Sequence, residues 1–118
     1  MKGEIKIIDL FSGPGGLGEG FSSIKKADGS NVFKLIASIE KEPNAYRTLK
    51  LRAFFRQFKN SPPKEYYDFL KGKLGEKPED ILYTLPQFEK EIKAAENEAL
   101  NLELGKDNSE IFKHITDA

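Results

Sequence analysis

The sequence predicts an α/β protein: an incomplete, Rossmann-like parallel sheet with a helical C-terminal portion. Three observations lead there. Ile5-Lys6-Ile7-Ile8-Asp9-Leu10 is short, rich in β-branched residues and nearly continuous in apolar character, as a strand buried on both faces of a parallel sheet would be. A cluster of glycines follows at once, and a second such run, Val32 to Ile39, comes after it. Beyond residue 60 the pattern turns helical and acidic and does not read as a further strand-helix unit.

The turn after the first strand is Asp9-Leu10-Phe11-Ser12-Gly13-Pro14-Gly15-Gly16-Leu17-Gly18. Glycine permits positive φ, and without a Cβ it lets a ligand lie against the backbone. Leu17, Phe21 and Ile24 then recur at helical spacing, which predicts a helix packing that face on the sheet. Gly13 to Gly18 fits G-x-G-x-x-G, a dinucleotide signature that on its own also describes an ordinary tight turn. Glu40 adds a second element. It stands at the carboxyl end of the second predicted strand, about twenty residues after the last glycine, where a carboxylate can accept both hydroxyl protons of a ribose.

The next helix is predicted from Asn44 to about Phe58. Pro43 suits its first turn because the missing N–H is one that would go unpaired there, and Glu42 complements the positive end of the helix dipole. Tyr46, Leu49, Ala53 and Phe54 form its apolar face, and Phe54, Phe55 and Phe58 read as core packing in preference to a base-stacking platform. Pro62-Pro63 stops it. Residues 65 to 70 predict a short aromatic helix broken by Gly72 and Gly75. Thr84-Leu85-Pro86-Gln87 has capping-box spacing and predicts the start of a long helix with Phe88, Ile92, Ala95, Ala99 and Leu102 inward. Glu89, Glu91, Glu96, Glu98 and Glu103 with Lys90 and Lys93 are its wet side, and Gly105 ends it. A last helix starting near Asn108 or Ser109 is expected to bury Ile111, Phe112 and Ile115.

Composition limits the function classes. In 118 residues there is room for one domain, and 38% hydrophobic content supports one modest core. No apolar run approaches membrane-spanning length, and the first apolar stretch, broken by Lys6 and Asp9, lacks a signal-peptide layout, so a cytoplasmic location is expected. The absence of cysteine excludes disulfides and thiolate metal sites, and a lone histidine, His114, makes no metal site. Net charge is zero, yet residues 1 to 60 carry 11 Lys and Arg against 6 Asp and Glu, while residues 61 to 118 carry 8 against 13. Most of the positive excess is Lys41, Arg47, Lys50, Arg52, Arg56 and Lys59. These are spread around one helix, which favours a solvated face over a phosphate-binding stripe.

The turn narrows the cofactor. Asp-Leu-Phe-Ser-Gly-Pro-Gly-Gly-Leu-Gly closely resembles the cofactor motif of the DNA (cytosine-5) methyltransferases, and Ile39-Glu40-Lys41-Glu42-Pro43-Asn44-Ala45 resembles their second motif. The resemblance covers about residues 4 to 52. It implies an S-adenosylmethionine-dependent methyltransferase fold, with Phe11 against the adenine, Ser12, Gly13, Pro14, Gly15, Gly16 and Leu17 around the methionine moiety, and Glu40 on the ribose. Lys41 departs from the bulky apolar residue common after the acid, and covers the adenine only with its aliphatic stem. By the same resemblance residues 1–60 are the first part of the cofactor domain, and residues 61–118 are a helical insertion or extension before the third strand.

What the chain lacks matters equally. The family attacks cytosine with a thiolate from a Pro-Cys loop, and this chain has no cysteine. It is therefore expected to be an N-terminal piece that is inactive alone, reaching double-stranded DNA only through its parent enzyme, in DNA methylation of the restriction-modification kind. No membrane contact is expected. Two parallel strands with uncovered edges predict self-association of the isolated chain. Two other classes fit the glycine pattern: an NAD-dependent oxidoreductase fragment, and a non-catalytic module that binds cofactor or protein.

Overall fold

The computed structural model describes residues 3–59 and 61–117. Residue 60, where the sequence divides the two parts, lies outside the described residues. In chain order the elements are β1 (Ile5–Asp9), α1 (Gly16–Ser22), β2 (Phe33–Ile39), α2 (Pro43–Arg56), α3 (Lys64–Leu70), α4 (Pro78–Leu82), a 3₁₀ turn at Pro86–Phe88, α5 (Glu89–Glu98), β3 (Ala99–Leu100) and α6 (Asn108–Asp117). The sheet is parallel throughout, in the order β1-β2-β3. This is a mixed α/β protein, compatible with a Rossmann-like fragment.

β2 is the central strand because both of its edges are hydrogen-bonded. Ile5 to Asp9 pair with Phe33 to Ser38, with a register shift between Ile7 and Ile8, and Ser38 and Ile39 pair with Ala99 and Leu100. Leu35, Ala37, Ser38 and Ile39 are buried, covered on the faces of the strand by the helices packed on it. β1 differs from expectation: Ile5 and Ile8 are exposed, since among the described residues little covers the faces of the strand. Helix α1 also packs otherwise than its spacing predicts. Leu17 is 66% exposed and Ile24 is exposed. The helix meets β2 through Gly18, where a Cβ would lie 3.0 Å from Leu35 Cδ1, and through Phe21, whose ring meets Phe33 edge-on at 5.0 Å.

Helix α2 starts at Pro43, and Glu42 is its N-cap, accepting from the Ala45 N–H at 2.6 Å. Its buried face is Leu49, Ala53 and Phe54, joined by Leu82, Ile92, Ala95 and Ala99 in the main core. Phe54 sits edge-to-face with Phe58, Tyr83 and Phe88. Phe55 rests on Tyr66, so all three phenylalanines pack within the protein.

After residue 60 the structure corrects several boundaries. Helix α4 has no counterpart in the sequence reading, and Thr84 closes it: its hydroxyl donates back to the Asp80 and Ile81 carbonyls. It caps no later helix. The long helix ends at Glu98, because Ala99 turns extended and the chain joins the edge of β2. A third parallel strand therefore lies inside the stretch expected to precede it. Gly105 belongs to the next turn, where Asp107 and Asn108 side chains accept from the Glu103 and Gly105 amides. In α6, Ile111 is fully buried and Ile115 half-buried, but Phe112 faces solvent.

Glu98 is likewise no part of a wet face. Its side chain is 12% exposed and pairs with Arg56, which also pairs with Glu19 of α1. Burial raises the Glu98 carboxyl above its ordinary range, and the Arg56 charge opposes this. Three other cations of the basic set are also engaged: Lys41 with Glu103, Arg47 with Glu79, and Lys50 over the Tyr83 ring. No helix among the described residues is long and apolar enough to cross a membrane.

Candidate functional site

The glycine turn and the end of β2 form one corner. Ser12 is its anchor: its amide donates to the Ile39 carbonyl at 3.0 Å, its hydroxyl donates to the Asp9 carbonyl at 2.9 Å, and the Gly15 amide returns to the Ser12 carbonyl. The turn is thereby tied to the ends of both strands. Ser12 is 8% exposed, and its hydroxyl already has an acceptor, so it shapes the loop from beneath.

Glu40 closes the corner from the other side. Its Oε1 accepts from the Gly13 amide at 3.2 Å and its Oε2 from the Glu42 amide at 3.0 Å. Each carboxylate oxygen has two lone pairs. One per oxygen is thus open to a further donor, so the group can receive a pair of adjacent hydroxyls. The acid and the first glycine, 27 residues apart in sequence, are in direct contact.

The glycines divide into two kinds. Gly13 has φ of 55° and Gly16 an ordinary φ, and at both a Cβ would meet nothing within 4 Å, which leaves open space over the turn. Gly15, at φ 96°, differs: a Cβ there would lie 2.9 Å from Leu49 Cδ1 and 3.6 Å from Arg52 Cδ. It is needed for the approach of α2 and for a left-handed backbone, and its bare face points away from the open side. Pro14 sits between these two positive-φ glycines.

The apolar members of the set stand at the rim. Phe11 is 78% exposed and Leu17 is exposed as well, leaving ring and side chain free for an apolar ligand surface. Lys41 follows Glu40 and carries its ammonium to Glu103 at 3.4 Å. A groove of about 280 Å³ runs beside β1, lined by Lys6, Ile7, Ile8, Asp9, Leu17, Gly18 and Phe21. Of the sequence-predicted residues it includes Leu17 alone. A second cleft of about 240 Å³, between α2 and α4, includes none of them.

Asn101 is the member of the corner that the sequence does not reveal. Its side-chain amide donates to the carbonyls of both Glu40 and Lys41. Sequence periodicity places residue 101 inside a helix, and only the emergence of β3 brings it beside Glu40. His114 lies far along the chain on α6, where Nε2 is buried without a hydrogen-bond partner, as is Ser38 Oγ on β2. Among the described residues no group of His, Asp or Glu is placed to hold a metal ion.

A strand, a glycine turn and a helix, closed by an acid at the tip of the neighbouring parallel strand, form the kind of crevice that receives nucleotide-like ligands in open α/β sheets. No protein-family model matches the chain, and no solved structure matches it. Over 66 residues it is 41% identical to the Type II methyltransferase M.Bpa9945I of Bacillus paralicheniformis (strain ATCC 9945a / NCIMB 11709 / CD-2). The matched stretch takes in 55% of this chain and 13% of that protein's length. This similarity supports a methyltransferase relationship.

Proposed function

We propose that the chain is the S-adenosylmethionine-binding N-terminal part of a DNA (cytosine-5) methyltransferase. The contact between Glu40 and Gly13 carries this reading, because it joins the ribose acid and the glycine turn in one corner. The residues fit the cofactor. The free lone pairs of Glu40 match the two ribose hydroxyls, the open faces of Gly13 and Gly16 leave room along the turn, and the exposed Phe11 ring offers a face to the adenine. Leu17 and Pro14 flank the methionine end, and the Lys41 stem borders the adenine. Ser12 and Gly15 act indirectly, the first by fixing the loop to β1 and the second by letting α2 approach it.

The cofactor supplies an electrophilic methyl group; this chain's share is to bind and orient it. The thiolate that activates the cytosine ring must come from outside these residues, since the sequence has no cysteine. The isolated chain is thus inactive, with residues 1–60 as the first part of the cofactor domain and residues 61–118 as its helical extension. Double-stranded DNA meets it only through the rest of the enzyme. Self-association of the isolated chain belongs to the same reading.

Calorimetric titration of the chain with S-adenosylhomocysteine and with NAD tests the reading. Saturable binding of the first alone is expected, weakened about 10- to 100-fold by Glu40→Ala, as for loss of hydrogen bonds to a charged group. Binding of NAD in its place overturns it.

A further inference from the structure

The main chain at Glu40 leaves the sheet just where its side chain is needed. The Glu40 amide donates to the Leu100 carbonyl of β3 at 3.0 Å. Beyond that point the Glu40 and Lys41 carbonyls have no strand to pair with, and both accept from Asn101 Nδ2, at 3.0 Å and 3.1 Å. Carbonyl oxygens only accept, so the amide NH₂ must face them and both of its hydrogens are used.

The Lys41 carbonyl and the Glu42 N–H belong to one planar peptide unit. Fixing the oxygen of that plane fixes the direction of its N–H. That N–H is the donor to Glu40 Oε2, while Oε1 accepts from Gly13. Asn101 thereby controls, through one rigid peptide, the donor that aims the carboxylate at the glycine turn. The surface pair between Lys41 and Glu103 ties the same two segments together but is well solvated and contributes little.

We infer that Asn101 is a positioning residue for the Glu40 carboxylate, and that β3 shapes the ribose side of the site through it; this rests on the cofactor reading above. Asn101→Asp replaces the paired donors with acceptors facing two carbonyls, at nearly constant size. Asn101→Ala merely removes them.

Amide resonances of the full chain give a test without ligand. In Asn101→Asp the Gly13 and Glu42 amide proton resonances are expected to move in the same direction as in Glu40→Gln, with those of Phe54 and Ile111 in place, which separates repositioning from unfolding. Asn101→Ala should move them less. With ligand, Asn101→Asp should lose about three- to tenfold in affinity for S-adenosylhomocysteine and less for its 2′-deoxy analogue, as expected for one or two misplaced hydrogen bonds. Gly13 and Glu42 resonances unchanged in Asn101→Asp overturn the inference. If they move while the two ligands lose affinity equally, the positioning role stands and the ribose role of Glu40 falls.

Discussion

β1 and β2 lie side by side with similar apolar sequences, yet one is largely wet and the other dry. Leu35, Ala37 and Ile39 of β2 are covered by the helices packed on that strand, Leu35 by α1 at Gly18, whereas Ile5 and Ile8 of β1 are exposed and Ile8 borders an open groove. The two strands share a composition because apolar, β-branched residues record the burial that a strand is built for. Actual burial depends on which neighbours are present. The functional corner sits on this boundary: Ser12 is held by the ends of both strands, and Glu40 leaves the buried one to meet the turn of the exposed one.

The contrast breaks or holds on the energetics. Phe54→Ala removes a fully buried ring and is expected to cost about 4 kcal/mol in urea unfolding. Ile8→Ala removes a partly solvated side chain and is expected to cost below about 1 kcal/mol. Comparable losses would mean that β1 is covered in solution. Arg56→Met comes next, at about 3 kcal/mol, because it leaves Glu98 desolvated without its cation and releases Glu19 of α1. An Arg56→Met protein as stable as wild type would show that the buried pair repays only its own desolvation.

The turn supplies a third and smaller test. Gly15→Ala should cost about 2 kcal/mol, since the residue must hold a left-handed φ and its Cβ presses on Leu49. Gly13→Ala, at a positive φ but with open space, should cost about 1 kcal/mol. Leu49→Ala combined with Gly15→Ala separates the two parts of the larger cost: partial recovery, measured by thermal unfolding of the double-mutant cycle, is expected. Equal costs at both glycines would mean that α2 yields at no expense.

These residues also show what could be read in the sequence and what could not. β1, α1, β2 and α2 were legible because each follows a local rule: an apolar run, a glycine turn, a proline at a first helical turn. That Glu40 stands at the same end of the sheet as the turn was legible, since parallel topology places consecutive strand ends together, but its hydrogen bond to the Gly13 amide was not. Nor was the direction of Gly15. Its bare face answers to Leu49, a partner 34 positions away that no local pattern announces. The passage from α5 to β3 was hidden for a related reason, as Ala99 continues the helical periodicity while its backbone is claimed by the edge of β2. Asn101 was lost with it. Thr84 had the right spacing for a cap, but its hydroxyl closes the helix before it, and α4 is too short to leave a periodic trace.

The smallest effect bears on how the two halves of the chain are joined. Glu98, on the last turn of α5, reaches the Arg56 guanidinium, with Glu19 on its other side; desolvation and the Glu19 charge raise the Glu98 carboxyl, and Arg56 pulls the other way. Because burial outweighs the cation, the folded protein holds this proton more tightly than the unfolded chain does. Between the unfolded value, about 4.5, and the raised folded one, the native state binds more protons, so stability falls as pH rises through that window and then levels. Glu98→Gln keeps a hydrogen-bonding oxygen for Arg56 and cannot ionise. Subtracting its urea-unfolding profile from that of wild type cancels the other titrating groups, and the difference should decline across the window. A difference that rises there instead would mean that Arg56 outweighs burial, and that this clamp draws its strength from charge pairing as an exposed ion pair would.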